Sequence, residues 1–306
     1  MGLGSIGSML AGYLAENNEV YGVGRAWHIN AIRERGYLLM RILFKSEEKK
    51  VKLAGVSSSI SDFQDQLFDC IFVCVKAYDV RNALRELVDN NVKGTCYVFI
   101  QNGIGIADIA KELLGDANII RAVTNNGANI PEPGIVNHAG LGETFVGGMY
   151  GSEKEYWARR VSESLESVGL PAKYVDNIRY YLYLKLTINA TINPLTAILR
   201  IRNKGVAEIS ELREIIAGVC REIEEVARAE GIRLKNTFKT VLSVAKRTGE
   251  NISSMLQDIL RGRRTEIDFI NGAIVKLGRK HGIATPFNDM LYKLVKTLEK
   301  AKSYEA

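Results

Sequence analysis

The sequence predicts an α/β domain built on a parallel sheet, followed by an all-helical domain. Three observations predict it. Short apolar runs alternate with helical patterns through residues 1–150, as expected for parallel strands with helices on the sheet faces. From Asp176 onward the pattern is helical almost throughout. The length, 306 residues, corresponds to about two domains of roughly 150 residues each, and such domains can bury proper cores. The division falls near residue 170, giving domains over 1–170 and 171–306.

The elements follow in order. Gly2-Leu3-Gly4-Ser5-Ile6-Gly7 opens a helix that continues over 8–16, and 19–24 is a strand. Residues 37–44 and 49–56 read as strands around the charged turn 45–49. The run 69–76 is nearly continuously apolar, as in a strand buried on both faces. A helix over 78–90, a buried strand over 95–101, a helix over 106–114 and a strand over 117–123 continue the alternation. Residues 124–150 are rich in Gly, Asn and Pro, and alternation at 135–138 and 143–147 predicts antiparallel strands. A helix over 153–168 follows. The second domain has predicted helices at 178–192, 206–230, 234–248, 253–260, 265–280 and 286–301. In 206–230, Ile209, Leu212, Ile216, Val219, Ile223 and Val226 form an amphipathic stripe.

Composition excludes several classes. Apolar residues make up 46% and charged residues 25%, which is ordinary for a globular chain and unlike a disordered one. Cys70, Cys74, Cys96 and Cys220 show no CxxC, so neither a disulfide scaffold nor a metal site is expected. His28, His138 and His281 are far apart in sequence, which argues further against a metal. The net charge is +6, with 14 basic and 16 acidic side chains in 1–150 against 27 and 19 in 151–306. Acids alternate with bases in the basic half, as in 221–229. That reads as solvated helical surface able to draw in anionic small molecules, and no nucleic acid is expected. No apolar run approaches a membrane span and no signal peptide is seen, so a cytoplasmic protein is expected.

The glycine motif matches the dinucleotide-binding pattern GxGxxG. Gly2 allows a tight turn, Gly4 lets backbone approach a pyrophosphate, and Gly7 permits close helix–strand packing. The helix start offers free N–H groups to phosphates. A helix and then a strand follow, as the pattern requires, so the first domain is expected to be of Rossmann type. Gly2, Leu3, Gly4, Ser5, Ile6 and Gly7 are its candidate cofactor contacts. After the strand at 19–24, where an NAD site usually has an acid, this chain has Arg25. An arginine cannot accept from a ribose hydroxyl but can pair with a 2′-phosphate, which favours NADP(H) over NAD(H). Lys76, at the carboxyl edge of the sheet, is either a phosphate contact or a solvated strand-end lysine. A strand of roughly 6 residues normally feeds such a motif, and none precedes Gly2. A mis-called start or a truncation is the expectation. If Met1 is the true start, the sheet lacks its central strand, and cofactor affinity and stability should be poor.

The segment 181–199, YLYLKLTINATINPLTAIL, is apolar apart from a few polar residues. Lys185, Asn189 and Asn193 fall along one helix face. Burying them unpartnered would cost several kcal/mol each, about 2–7 for an amide. The face is therefore expected to line a polar pocket, with Tyr180, Tyr181 and Tyr183 as candidate walls. A partly desolvated lysine has a lowered pKa and can deliver a proton to a carbonyl oxygen as charge develops there. Beside a nicotinamide this points to reduction of a ketone, with the Asn amides binding hydroxyl or carboxylate groups. In 253–272, Thr265 and Asp268 have the spacing of a capping box. Glu266 falls in the first turn, where an acid suits the helix dipole, and Ser254 and Gln257 read as helix surface.

Taken together, GLGSIG at 2–7, VKAYDV at 75–80, QNGIG at 101–105, KLTINATINPLTAIL at 185–199 and SSMLQDILRGRRTEIDFING at 253–272 resemble the ketopantoate reductase family. The resemblance spans nearly the whole chain, and the last two strings are the most specific. It implies a Rossmann domain joined to a helical domain, with the active site between them. It also implies reduction of 2-dehydropantoate to (R)-pantoate with NADPH, on the way to pantothenate and coenzyme A. It further implies that Lys185 is the catalytic proton donor and that Glu266 contacts substrate and organises the site. Asn189, Asn193 and Asn203 match substrate-contacting asparagines, and Ser254 matches a serine near the substrate carboxylate. Asn102 matches an asparagine near nicotinamide and substrate, and Arg25 and Lys76 match basic residues on the phosphate side. Cofactor preference varies among such enzymes, so NAD(H) stays open beside NADP(H). Many relatives are dimers, which admits a homodimer, although no interface patch is legible. The alternatives are a reductase of another branched 2-keto acid and a non-catalytic NADP(H)-binding sensor.

Overall fold

The apolar runs predicted over 69–76, 95–101 and 117–123 pair side by side in one sheet, the first of them at its edge. In the computed structural model, which describes residues 1–301, the chain divides into two compact units. The first comprises Met1–Gln101 and Ile106–Ile178; the second comprises Asn102–Gly105 and the described residues from Arg179 onward. The first unit runs α1 (Ser5–Leu14), β1 (Tyr21–Val23), α2 (Ala26–Arg35), β2 (Leu38–Ile42), β3 (Glu47–Val51), β4 (Gly55–Ser57), β5 (Leu67–Val73), α3 (Val80–Asp89) and β6 (Lys93–Phe99). It continues with α4 (Ile106–Leu114), β7 (Asn118–Thr124), β8 (Gly127–Asn129), β9 (Ile135–Gly140), β10 (Thr144–Tyr150), α5 (Lys154–Ser167) and β11 (Ala172–Tyr174).

β5, β6 and β7 pair in parallel, with Val73 opposite Phe99 and Val98 opposite Ile120. β10 joins β7 antiparallel and β11 completes a five-stranded sheet in the order β11-β10-β7-β6-β5. A four-stranded sheet, β3-β2-β9-β8, turns Leu38, Met40 and Ile42 inward by strict alternation along β2. Met9, Leu10 and Tyr13 of α1 share one core with Met40 and Val136 of that sheet and with Val98 and Ile120 of the larger one. β1 and β4 form a separate parallel pair. Met1–Leu3 run between this pair and β5: Gly2 N and Leu3 N donate to Val23 O, Met1 N donates to Phe72 O, and Cys74 N donates to Met1 O.

Two local departures from the predicted elements have tertiary causes. The strand predicted over 49–56 is two strands, because β3 pairs with β2 while β4 changes sheets to pair with β1. Helix α2 was absent from the sequence reading. Its apolar face is short, holding only Ile29 and Ile32 beside a buried His28. It is held by His28, whose Nδ1 accepts from Gly134 N at 3.0 Å and whose Nε2 lies 3.0 Å from Ser8 Oγ of α1.

The second unit is helical: α6 (Ile178–Leu199), α7 (Asn203–Glu208), α8 (Leu212–Ala229), α9 (Thr237–Arg247), α10 (Ser254–Leu260), α11 (Asn271–His281) and α12 (Pro286–Ala301). Leu186, Ala190, Ile192 and Leu195 of α6 pack with Ile216, Val219, Ile223 and Val226 of α8 in one core. The helix predicted over 206–230 breaks at Ile209, where the backbone turns extended (φ −73°, ψ 113°). α7 is tied instead to the segment before α10, by Asn203 N to Asn251 O and Lys204 N to Gly249 O, both at 3.1 Å. The helix predicted over 265–280 is a 3-10 turn at Ile267–Phe269 followed by α11. Its capping box is altered. Thr265 Oγ1 does accept from Ile267 N, but Glu299 Oε1, at 2.7 Å, accepts from both Thr265 N and Thr265 Oγ1. Asp268 turns to Arg264, Tyr292 and Lys296. Among the described residues no helix is long and apolar enough to cross a membrane.

Candidate active site

In the first unit the glycine loop is a site made of backbone. Gly4 N donates to Gly2 O at 2.7 Å, closing a tight turn. Gly2 has φ +90°, and a Cβ there would stand 2.6 Å from Val75 N. A Cβ on Gly7 would overlap the Gly2 carbonyl oxygen. Gly4 differs: its nearest neighbour for an added Cβ is Gly2 O at 4.0 Å, and the residue is exposed. Ser8 N makes the first intrahelical bond, to Gly4 O at 2.8 Å, so the N–H groups of Ser5, Ile6 and Gly7 have no partner within the helix. Gly4 offers no side-chain cap and the first turn holds no acid. Open space above uncapped N–H groups at the positive end of a helix fits a pyrophosphate.

Arg25 stands exposed at the N-cap of α2, directly after β1, and the first turn of α2 has no acid. Lys76 caps the turn after β5 and is partly buried. Gln101, just beyond β6, is not singled out by the sequence pattern but ties the strands near Lys76 together. Its Nε2 donates to Val73 O at 2.7 Å and Val75 O at 3.1 Å, stapling β5 to β6 beyond their ladder. Its own carbonyl accepts from Arg121 Nη2 at 2.8 Å. A polar residue closing a buried strand was the available signal.

In the second unit the site is made of side chains. α6 is apolar on most faces and buried in the core, as expected of a helix without a single wet side. Thr187 and Thr191 are fully buried, and their hydroxyls satisfy themselves on Tyr183 O and Thr187 O at 2.8 Å. Tyr183 also enters the core. On another face Lys185 and Asn189 are partly buried and Asn193 is buried. Asn189 Nδ2 donates to Asn102 Oδ1 at 3.3 Å, and Asn102 Nδ2 donates to Glu266 Oε2 at 3.1 Å. A carboxylate only accepts, which fixes the orientation of the Asn102 amide and so the direction of the chain. The backbone makes the meeting possible. Ile104 N donates to Phe269 O at 3.1 Å. Gly103, at φ +88°, passes so close that a Cβ would overlap that same oxygen.

The remaining predicted substrate residues lie on segments that are tied to one another. Thr196 Oγ1 donates to Ser253 Oγ at 2.7 Å, and Ser253 caps α10 through Leu256 N. Ser254, exposed, begins that helix. Asn203 is buried, its Nδ2 on Thr248 Oγ1 at 2.9 Å and its Oδ1 without a partner. No direct bond among Asn193, Asn203 and Ser254 is present.

Comparison with known proteins agrees with this division. Residues 1–151 match the family model "Ketopantoate reductase PanE/ApbA", and residues 177–299 match "Ketopantoate reductase PanE/ApbA C terminal". The 2-dehydropantoate 2-reductase of Pyrococcus horikoshii is 34% identical over 301 residues, covering 98% of this chain and 96% of that protein. That of Archaeoglobus fulgidus is 35% identical over 305 residues, again covering 98% and 96%. Among solved structures, a D-mandelate dehydrogenase with NADH and anilino(oxo)acetate superposes with TM-score 0.90 at 31% identity, covering 99% of this chain and 97% of that one. A PanE/ApbA family ketopantoate reductase from Ralstonia eutropha superposes with TM-score 0.88 at 30% identity, covering 99% and 98%. With family models matched over residues 1–151 and 177–299, and with an uncapped glycine turn in the first unit and the Asn189–Asn102–Glu266 chain in the second, the chain belongs to the ketopantoate reductase family.

Proposed function

We propose that this chain is a 2-dehydropantoate 2-reductase, an oxidoreductase that converts 2-dehydropantoate to (R)-pantoate with NADPH in pantothenate and coenzyme A biosynthesis. The observation that carries the reading is the polar face of α6, with Asn189 linked through Asn102 to Glu266. The glycine turn and the start of α1 would hold the pyrophosphate, with Arg25 and Lys76 on the phosphate side. A bound dihydronicotinamide supplies the hydride that reaches the keto carbon. Lys185 donates a hydrogen bond to the keto oxygen and gives up its proton as negative charge grows there, then regains a proton from solvent. Glu266 accepts from Asn102 and from a substrate hydroxyl, so one carboxylate fixes both. The amides of Asn189, Asn193 and Asn203 and the Ser254 hydroxyl bind the remaining substrate oxygens.

The likeness to D-mandelate dehydrogenase with NADH favours one second reading, an NAD(P)H-dependent reductase of another 2-keto acid. Steady-state oxidation of NADPH and NADH with ketopantoate and a panel of branched and aryl 2-keto acids separates the two. The expected outcome is the highest kcat/KM for ketopantoate with NADPH. A higher value for a different keto acid transfers the assignment. Fluorescence binding of NADPH without turnover of any keto acid leaves the sensor. On the same reading the enzyme is cytoplasmic and works as a homodimer, which light scattering on the purified chain tests directly.

A further inference from the structure

α6 carries Pro194 in its interior. Proline has no N–H, so the carbonyl four residues earlier, Ala190 O, loses its donor within the helix. Ala190 is fully buried, and water cannot replace that donor. Asn271, the first residue of α11 and also fully buried, supplies it: Asn271 Nδ2 lies 2.9 Å from Ala190 O. The same nitrogen donates to Asn288 Oδ1 at 3.0 Å. Asn288 Nδ2 donates to Glu222 Oε2 at 2.7 Å. Glu222 is held in turn by the start of α12, its Oε1 accepting from Phe287 N at 2.8 Å and its Oε2 from Asn288 N at 2.9 Å. An acid is well placed at a helix start, and each member of the chain orients the next.

What this chain of bonds joins gives it meaning. Ala190 follows Asn189 and lies between Lys185 and Asn193. Asn271 follows Glu266 by one 3-10 turn, and Phe269 of that turn holds the Asn102 loop. We infer that Asn271, backed by Asn288 and Glu222, is a positioning residue. It clamps the proline break of α6 to the start of α11, and so keeps Lys185 and Asn189 in register with Asn102 and Glu266. The inference rests on reading those four residues as the keto-acid site.

Asn271→Leu keeps the branched shape of the side chain and removes the donor. Adding Pro194→Ala returns an N–H to the Ala190 carbonyl from within the helix. The test uses the full chain and whichever 2-keto acid the wild type reduces best. In Asn271→Leu, kcat is expected to fall about 100-fold, the scale of an ångström-sized misplacement of reacting groups, with NADPH Kd unchanged. The double variant should keep most of that loss, because the carbonyl is again satisfied while the tie from α6 to α11 is still missing. A lower Tm with wild-type kcat and KM would overturn the inference, since that is what a purely structural bond predicts. Recovery of wild-type kcat by the double variant would overturn it as well, since the loss would then come from the unpaired carbonyl and not from the missing tie to α11. If Asn271→Leu does not fold, Asn271→Ser, whose hydroxyl is too short to reach Ala190, is read by the same kcat criterion. A wild type that reduces no 2-keto acid defeats the functional reading itself, a result distinct from an active wild type matched by its Asn271 variant.

Discussion

On the proposed reading, the glycine loop of the first unit and the polar face of α6 in the second are opposite solutions to ligand binding. The loop uses backbone N–H groups and leaves room by having no side chains; at Gly7 even a Cβ meets the Gly2 carbonyl. The α6 face uses side-chain termini on an ordinary helix, aligned by hydrogen bonds that cross to Asn102 and Glu266. A backbone site should therefore be most sensitive to added atoms, and a side-chain site to removed ones. The two should also fail in different measurements.

The largest effect is expected for Lys185→Ala. Its kcat should fall by about 10² to 10⁴, the usual contribution of a positioned acid, with the NADPH Kd of the wild type. If that variant loses NADPH affinity instead, the separation between the two sites breaks. Next is Gly7→Ala, whose methyl must displace the turn. NADPH Kd should rise about 100-fold by fluorescence titration, as several phosphate contacts at the helix start move together. Turnover at saturating cofactor should suffer less. Arg25→Ala sharpens the comparison within the cofactor site. Loss of a charge-assisted bond to a 2′-phosphate should weaken NADPH by about tenfold or more and leave NADH unchanged. Equal loss for both cofactors would place Arg25 away from that phosphate.

The smallest effect is a slope of stability with pH in the first unit. His28 is buried between Ser8 and Gly134, and His138 between Tyr13 and Asn126. Burial lowers both imidazoles below the ordinary value of 6.5. The unfolded chain then binds protons that the folded unit refuses. The stability they contribute is whole above about 6.5 and is lost as pH falls through the lowered folded values. Thermal melts between pH 7 and 5 should show a falling Tm, and His28→Gln should flatten the slope. A Tm that holds steady over that range would remove the histidines from the stability of this unit.

Much of the fold is legible in the sequence. Strands β6 and β7 are legible because residues buried on both faces leave continuous apolar runs, whereas β5, expected to be buried on both faces, lies at the sheet edge with Leu67 and Asp69 exposed. Helix α4 appears at its predicted bounds, 106–114, since its apolar periodicity ends at Gly115, which stands at φ +61°. The α6 face was visible because polar groups inside an apolar helix are costly without a purpose. The failures share a different cause. The break at Ile209 depends on Asn203 meeting Asn251, and the altered cap at Thr265 depends on Glu299. Asn102 reaches Glu266 across 164 positions. No window of sequence contains both partners.

By itself, then, the sequence determined the parallel-sheet and helical units, the glycine turn, and which residue types stand on α6. Those follow from periodicity, from conformational freedom at glycine and from the cost of burying polar groups, all of which act within a few turns of chain. Which carboxylate Asn102 faces, and which amide answers the carbonyl that Pro194 leaves without a donor, is set by the folded chain. Hydrogen bonds form between neighbours in space, and folding alone makes neighbours of Ala190 and Asn271.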